Sequence, residues 1–396
     1  MRLLMLCERF PPDLGGLATS GARIAGALVR LGVAVDVVAW TRACPPGALE
    51  TLAGADVHPS AAGVTVHRVG LYASQDFSLQ HTLNVLEWLH SERAFAAAWG
   101  HYLFPAGFTA VLFAASQGIP SAVSARGNDV DRATFPPGDF ARLLWTLERA
   151  SLVTAASADL ARKIDVLLGR ARGVEVVPNA VDPQVFSPGP PDAALRARLG
   201  IAPDEAVLCF AGELRQKKGF PFLLDALRAV RAQRPACLLV VGEVRPREQS
   251  RLQAFAAEHP ADARRILISG RLDEPAEVAR HLRLADAFLL PSLWEGMPNA
   301  LLEAMAVGVP SLASGAGGIP EVLAAGQTGF VLPRHQLHRL GEATLELLAL
   351  PAEERARIGA AARQAVLERF HPDVEAARLR EVLARLQATG APKSSA

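Results

Sequence analysis

The stretch RLLMLCERFPPDLGGLATSGARIAGALVRLGVAVDVVA, residues 2–39, decides the fold class. Arg2 to Cys7 is an apolar run of strand length. A loop with Pro11, Pro12, Gly15 and Gly16 follows. An amphipathic helix from about Ala18 to Leu31 is stopped by Gly32, and Val33 to Ala39 is a second strand. Two parallel strands need a crossover connection, normally a helix, so this order opens a Rossmann-like α/β sheet.

The alternation continues outward. Val64 to Val69 and Ser121 to Ala125 read as strands, with a helix at Pro105 to Gln117 before the second. Val174 to Val177 leads into PNAVDPQVFSPGPP, a Pro-rich stretch suited to an interdomain linker. The pattern then restarts with apolar runs at Ala206–Ala211, Cys237–Val241, Ile266–Ser269, Ala287–Leu290 and Val309–Ala313. The end is helical and divided by Pro372, with a disordered tail, APKSSA, at 391–396. The expected division is 1–180 and 181–370, two Rossmann-like domains, then 371–396, a last helix and the tail.

Composition narrows the function classes. The 396 residues, half of them apolar, suit two or three globular domains. Net charge is +1, and positions 1–180 carry 15 basic and 15 acidic residues, so neither half is a polycation and nucleic acid is not expected as partner. The four cysteines lack metal or disulfide spacing and suit a reduced, cytoplasmic protein. The N-terminal apolar run is too short for a signal peptide, and no run reaches a membrane-spanning length. Phe77, Leu83, Leu86 and Leu89 form either a core face or a membrane-facing stripe, the core face being favoured, so peripheral contact at the inner membrane face stays open.

Several loops follow strands, where open α/β sheets bind ligands. In PSLWEGMPNALLEAMAVGVP, residues 291–310, Glu295 lies in the loop, Asn299 is placed as the cap of a helix from Ala300 to Val307, and Glu303 falls one turn inside it. A helix N-terminus suits a phosphate, and a nearby carboxylate can accept hydrogen bonds from ribose hydroxyls. Taken alone, the two glutamates read as solvated charges. GELRQKKG, residues 212–219, offers Arg215 and Lys218 to a departing diphosphate, or is a solvated basic turn. Gly15 and Gly16 permit close backbone approach to a ligand, or make a plain turn. His101 stands before a helix in WGHYLFPAG, where a structural role is common. SARGNDVD, residues 124–131, brings Arg126, Asn128 and Asp129 to the cleft. Its D-x-D pair, Asp129 and Asp131, reads more readily as loop capping than as a metal site. Gly317 and Gly318 precede a short helix holding Glu321 and fit a cleft wall or a tight turn.

Together these residues resemble the retaining glycosyltransferases of family 4, which have the GT-B fold. The likeness lies in Glu295 and Glu303 with seven residues between them, in PPDLGG, in NAVDPQVFSP and in GGIPEVLAAGQTGFVLP. It spans nearly the whole chain. It implies two domains facing across a cleft, with the last helix crossing back to the first. It also implies a nucleotide diphosphate-sugar donor on the second domain, and a sugar, glycolipid or other hydroxyl acceptor on the first. Glu303 would bind the donor ribose. Glu295 and the backbone of Met297, Pro298, Asn299 and Ala300 would meet sugar and phosphate. Gly16 would reach the diphosphate, His101 the sugar, and Lys218 the leaving phosphate. No metal or other cofactor is expected. Three positions depart from the family pattern. Glu213 stands where arginine is frequent, and Arg215 is expected to replace that charge. Arg126 and Trp99 stand where histidine is frequent. The alternatives are a non-catalytic nucleotide-sugar-binding protein and a sugar-nucleotide epimerase.

Overall fold

The computed structural model describes residues 1–13, 15–132 and 136–390. The chain divides into two compact units, Met1–Pro178 with the residues from Glu375 onward, and Asn179–Val374. The tail 391–396 lies outside the described residues.

The first unit holds β1 (Arg2–Cys7), β2 (Ala34–Thr41), β3 (Leu49–Ala53), β4 (Thr65–Gly70), β5 (Ala97–His101), β6 (Ser121–Ala125), β7 (Leu152–Ala155) and β8 (Glu175–Val176). They form one sheet in the order β3-β4-β2-β1-β5-β6-β7-β8, parallel except where β3 runs against β4. Side chains alternate between its faces. Leu3, Met5 and Cys7 join one core with Val35, Val37 and Ala39, while Leu4 and Leu6 join the other with Val38 and Trp40. Both faces are covered, as parallel sheets require. Helix Gly16–Arg30 covers the first face with Ala22, Ala25 and Leu28.

The same face also receives Leu379, Val382, Leu383 and Leu386 from the C-terminal helix Pro372–Gly390. That helix begins in the second unit and completes the core of the first, as the resemblance implies. Helix Gln75–Arg93 covers the other face with Leu86 and Leu89, and Leu83 packs beside them. Phe77 departs from the expected set. It is 70 % exposed, because it lies on the opposite side of the helix, in line with exposed Trp88. Among the described residues no helix is long and apolar enough to cross a membrane.

The second unit holds β9 (Ala206–Ala211), β10 (Ala236–Val241), β11 (Ile266–Ile268), β12 (Ala287–Leu290), β13 (Ser311–Ser314) and β14 (Phe330–Leu332). Their order is β11-β10-β9-β12-β13-β14, all parallel. In each sheet successive strands run outward from a central one and then restart on its other side, at β1/β5 and at β9/β12. Those two reversals mark the crevices where open α/β sheets take ligands.

Candidate active site

In the second unit, the loops after β9 and β12 flank the reversal and are bound to each other. Leu293 N–H donates to the Lys217 carbonyl at 2.8 Å. Gly219 has φ +78°, and a Cβ there would stand 2.0 Å from the Pro291 oxygen, so only glycine lets these loops meet. The loop after β13 closes on the same place. Gly318 N–H donates to the Gly296 carbonyl at 3.0 Å, and Ser314 Oγ to the Ser292 carbonyl at 2.5 Å. A Cβ on Gly317, at φ +53°, would stand 1.8 Å from the Glu295 backbone carbonyl oxygen. The glycine pair that the sequence offered as a cleft wall therefore packs directly on the glutamate loop.

Across this junction Lys218 Nζ donates to Glu295 Oε1 at 2.5 Å, and Ser292 Oγ donates to the same oxygen at 2.7 Å. Glu295 is only 6 % exposed. Burial raises its pKa, but the charges of Lys218 and Lys217 and the hydrogen bonds from Lys218 and Ser292 outweigh that. The carboxyl sits below its ordinary value and is ionised at neutral pH. Met297 and Pro298 are buried, and the Met297 carbonyl accepts a 2.8 Å hydrogen bond from Asn179 Nδ2.

The following helix spans Asn299–Val307. The sequence made Asn299 its cap; instead Pro298 occupies the cap position and Asn299 is the first helical residue. Proline's restricted φ, here −79°, suits the extended residue before a helix, and no side chain caps the end. The first intrahelical acceptor is the Pro298 carbonyl, taken by Leu302 N–H. The N–H groups of Asn299, Ala300 and Leu301 therefore have no acceptor within the helix. Asn299 Oδ1 is buried with no hydrogen-bond partner among the described residues. Glu303, one turn further, is half-buried, and among the described residues its carboxyl has no hydrogen bond or ion pair. Burial pushes its pKa up to about 7.

Arg215 pairs with Glu213 at 3.4 Å, and Glu213 also accepts from Arg245 Nε at 3.1 Å. The acid standing where an arginine was expected thus lies between two arginines, and the Arg215 charge is shared with it.

The first unit presents its own edge at β1 and β5. Gly15 caps helix Gly16–Arg30 with φ +111°, and the first turn carries no acid. His101 stands two residues before the helical turn Leu103–Gly107. It is the last residue of β5, followed by Tyr102 at φ +104° and a turn over Leu103–Gly107. The five residues Ala97–His101 are all buried, with the Trp99 indole N–H bonded to Ser124 Oγ at 2.7 Å, so a strand could form without the usual polar alternation. His101 is fully covered. Its Nε2 meets Ser20 Oγ at 2.9 Å, and among the described residues its Nδ1 has no hydrogen-bond partner. Burial, then the charges of Arg126 and Arg23, hold its pKa well below the ordinary value against a smaller contrary effect of the Leu17 backbone, so it is neutral.

Asp129 accepts from the N–H groups of Gly127 (2.7 Å), Arg126 (3.0 Å) and Leu103 (3.3 Å), and so joins the loop after β6 to the turn after β5. Burial pushes its pKa up to about 6. Asp131 pairs with Lys163 at 2.9 Å. Both carboxylates of the D-x-D pair thus have protein partners, and Asn128 begins the short helix Asn128–Arg132. Arg126 is half-buried, and burial, then Arg23, lowers its pKa to about 10. Arg23 in turn contacts Glu375 of the C-terminal helix.

Sequence reasoning missed Asn179, Ser292, Ser20 and Glu375. Only Ser292 left a local signal, a hydroxyl three residues before Glu295; the other three meet partners far along the chain.

Two family profiles cover most of the chain: "Glycosyl transferase 4-like domain" matches residues 15–180 and "Glycosyl transferases group 1" matches 192–365. A D-inositol 3-phosphate glycosyltransferase of Stackebrandtia nassauensis is 32% identical, over 88% of this chain and 82% of its own length. A GDP-mannose-dependent alpha-(1-6)-phosphatidylinositol monomannoside mannosyltransferase of Mycobacterium tuberculosis is 27% identical, over 96% and 98%. Among solved structures, the Anabaena HepE protein in complex with UDP-glucose superposes with a TM-score of 0.80 at 20% identity, over 97% of this chain and 99% of that one. With both sheets, both reversals and these likenesses in agreement, the chain belongs to glycosyltransferase family 4 and has the GT-B fold.

Proposed function

We propose that the protein transfers a sugar from a nucleoside diphosphate donor to an acceptor hydroxyl with retention of configuration, in glycolipid or glycan synthesis. The observation that carries this reading is the edge of the second sheet. There an ionised Glu295 is fixed by Lys218 beside a helix whose first N–H groups are unused, with the unpaired carboxyl of Glu303 one turn further. A diphosphate at the helix N-terminus would gain from the dipole and from Lys218. Ribose hydroxyls donating to Glu303 would favour its ionised form and bring its pKa down. The named donors of relatives, GDP-mannose and UDP-glucose, are of this chemical class.

The proposed retaining route needs no protein nucleophile, and it is compatible with the setting of Glu295. Its buried oxygen is occupied by Lys218 and Ser292, so it serves as a fixed acceptor of hydrogen bonds rather than as a nucleophile. The route that needs no protein nucleophile lets the glycosidic bond loosen towards an oxocarbenium-like state. The departing phosphate oxygen then takes the proton of the hydroxyl attacking on the same face. Lys218 and Arg215 stabilise the charge on that leaving group, and no metal is required. On the first unit, Gly16 begins the helix after β1 and neutral His101 ends β5, both at the carboxyl edge of that unit's own sheet.

The test is a thermal-shift screen of UDP-, GDP- and ADP-sugars with and without EDTA, followed by proton NMR of the product made from an α-linked donor. Stabilisation by one nucleotide class, kept in EDTA, and an α-linked product are expected. A β-linked product would overturn retention, and turnover restored only by added Mg would overturn metal independence.

A further inference from the structure

The first unit contains a cavity of about 740 Å³ at the carboxyl ends of β1, β2 and β4, with Pro105 of the turn after β5 on its rim. That volume suits a small-molecule ligand. Its wall is mixed. Trp40, Leu71 and Leu79 supply apolar surface, and Arg9 and Arg42 line the same space together with Glu8 and Asp13.

The polar groups sort into used and unused. Thr41 Oγ1 accepts from Ala43 N–H at 3.0 Å, and Ser78 Oγ accepts from Tyr72 N–H at 3.0 Å while donating to the Ser74 carbonyl at 2.9 Å. Asp13 accepts from Arg68 at 3.2 Å, so its charge is balanced within the wall. Glu8 has a partner of its own. Arg9 and Arg42 have no hydrogen bond or ion pair among the described residues. Two of the residues lining the cavity are therefore exposed arginines without an ion pair among the described residues, each with five N–H donors, beside apolar neighbours. A neutral polyol would leave both charges without a counter-charge. A ligand with an anionic oxygen group would satisfy them with charge-assisted, bidentate hydrogen bonds.

We infer that this cavity takes the acceptor and that the acceptor carries a phosphate or carboxylate group, held by Arg9 and Arg42, in addition to the hydroxyl that receives the sugar. The inference rests on the proposed transferase reading for the word acceptor, but the anion preference stands on the cavity alone. Both arginines are exposed at their loop positions, so replacing them leaves the core intact.

The experiment uses the full chain and matched pairs of charged and uncharged probes: glycerol 3-phosphate and glycerol, glucose 6-phosphate and glucose, L-malate and malamide. Affinities are measured by calorimetry for the native protein and for the R9Q/R42Q variant. A UDP- or GDP-sugar thermal shift is recorded on both proteins as an independent readout. Expected is binding of at least one anionic member at least tenfold tighter than its neutral counterpart, about 1.4 kcal/mol. That preference should weaken as salt rises and fall at least tenfold in R9Q/R42Q, while the nucleotide-sugar shift stays. Phosphate and carboxylate arms separate the two sources of the charge. Equal binding of the neutral members, no binding of any anion, or an anion preference that survives in R9Q/R42Q would each overturn the inference. Loss of the nucleotide-sugar shift in the native protein would instead sink the donor reading and leave the anion result standing.

Discussion

At the carboxyl edge of the second sheet a buried glutamate lies against a lysine and a serine. At the same edge of the first sheet a buried histidine lies against a serine, with arginines around it. The topology is shared, but the charge chemistry differs. In the second unit opposite charges meet, and the acid stays ionised in spite of burial. In the first unit like charges and burial act together, and the histidine stays neutral. One edge thus holds a fixed charge pair, while the other keeps a neutral ring beside cations.

Breaking the charge pair is expected to give the largest effect. Lys218→Met leaves the Glu295 carboxylate buried without its counter-charge and should cost about 3 kcal/mol in urea unfolding, together with nearly all turnover. The double variant Lys218→Met/Glu295→Gln should recover most of that stability but not the turnover. If the single variant is as stable as the native chain, the pair is not held as described.

Glu303 gives the next effect, and its sign is opposite in stability and in binding. Its pKa is about 7 in the folded protein against 4.5 as the ordinary value, so the folded state holds a proton that the unfolded state releases. Stability from this group is present below pH 4.5 and is lost as pH rises through 7. Glu303→Gln should therefore stabilise the ligand-free protein at pH 8, by about 1–2 kcal/mol after solvent screening, and not at pH 4.5. The same change should abolish stabilisation by the nucleotide-sugar. A Glu303→Gln curve parallel to the native one across pH would show that burial does not perturb this carboxyl.

His101 sharpens the other side of the comparison. Its pKa is depressed, so the unfolded state binds the proton first, and stability should fall as pH drops below 6.5. His101→Asn should flatten that acid limb and lower turnover, as read from melting curves between pH 5 and 8. An unchanged acid slope would mean that the imidazole is not the group responsible. The smallest effect is expected at Glu213. Glu213→Gln removes the acid paired with Arg215, and should tighten nucleoside diphosphate binding by a few-fold, under about 1 kcal/mol. Weaker binding would show that Glu213 positions Arg215 rather than competing for it.

Legibility followed the physics of each segment. β1, β9 and β12 stand out because parallel strands covered on both faces are continuous apolar runs. β3, Leu49–Ala53, was invisible because it is an antiparallel edge strand with largely exposed side chains. β5 was missed because Gly100 and His101 break the apolar pattern although both are buried. β7 and β14, of four and three residues, were also missed. At the site, loops that follow strands announced Glu295, Glu303 and Lys218. The contact between Lys218 and Glu295 did not, since it depends on two loops 77 residues apart meeting where Gly219 admits the Pro291 carbonyl. Asn299 was misassigned because a capping residue type was weighed above the proline before it.

The C-terminal helix has a consequence for how the molecule is made. Leu379, Val382, Leu383 and Leu386 belong to the same core as Leu3 and Met5, and burying each is worth about 1.5–3 kcal/mol. A chain emerging from the ribosome presents the first sheet early but withholds this cover until the second unit has been made. The second unit, continuous in sequence, has all its strands available sooner. The half synthesised first is therefore the half whose packing is finished last, and an incomplete chain carries an apolar face for which chaperones compete.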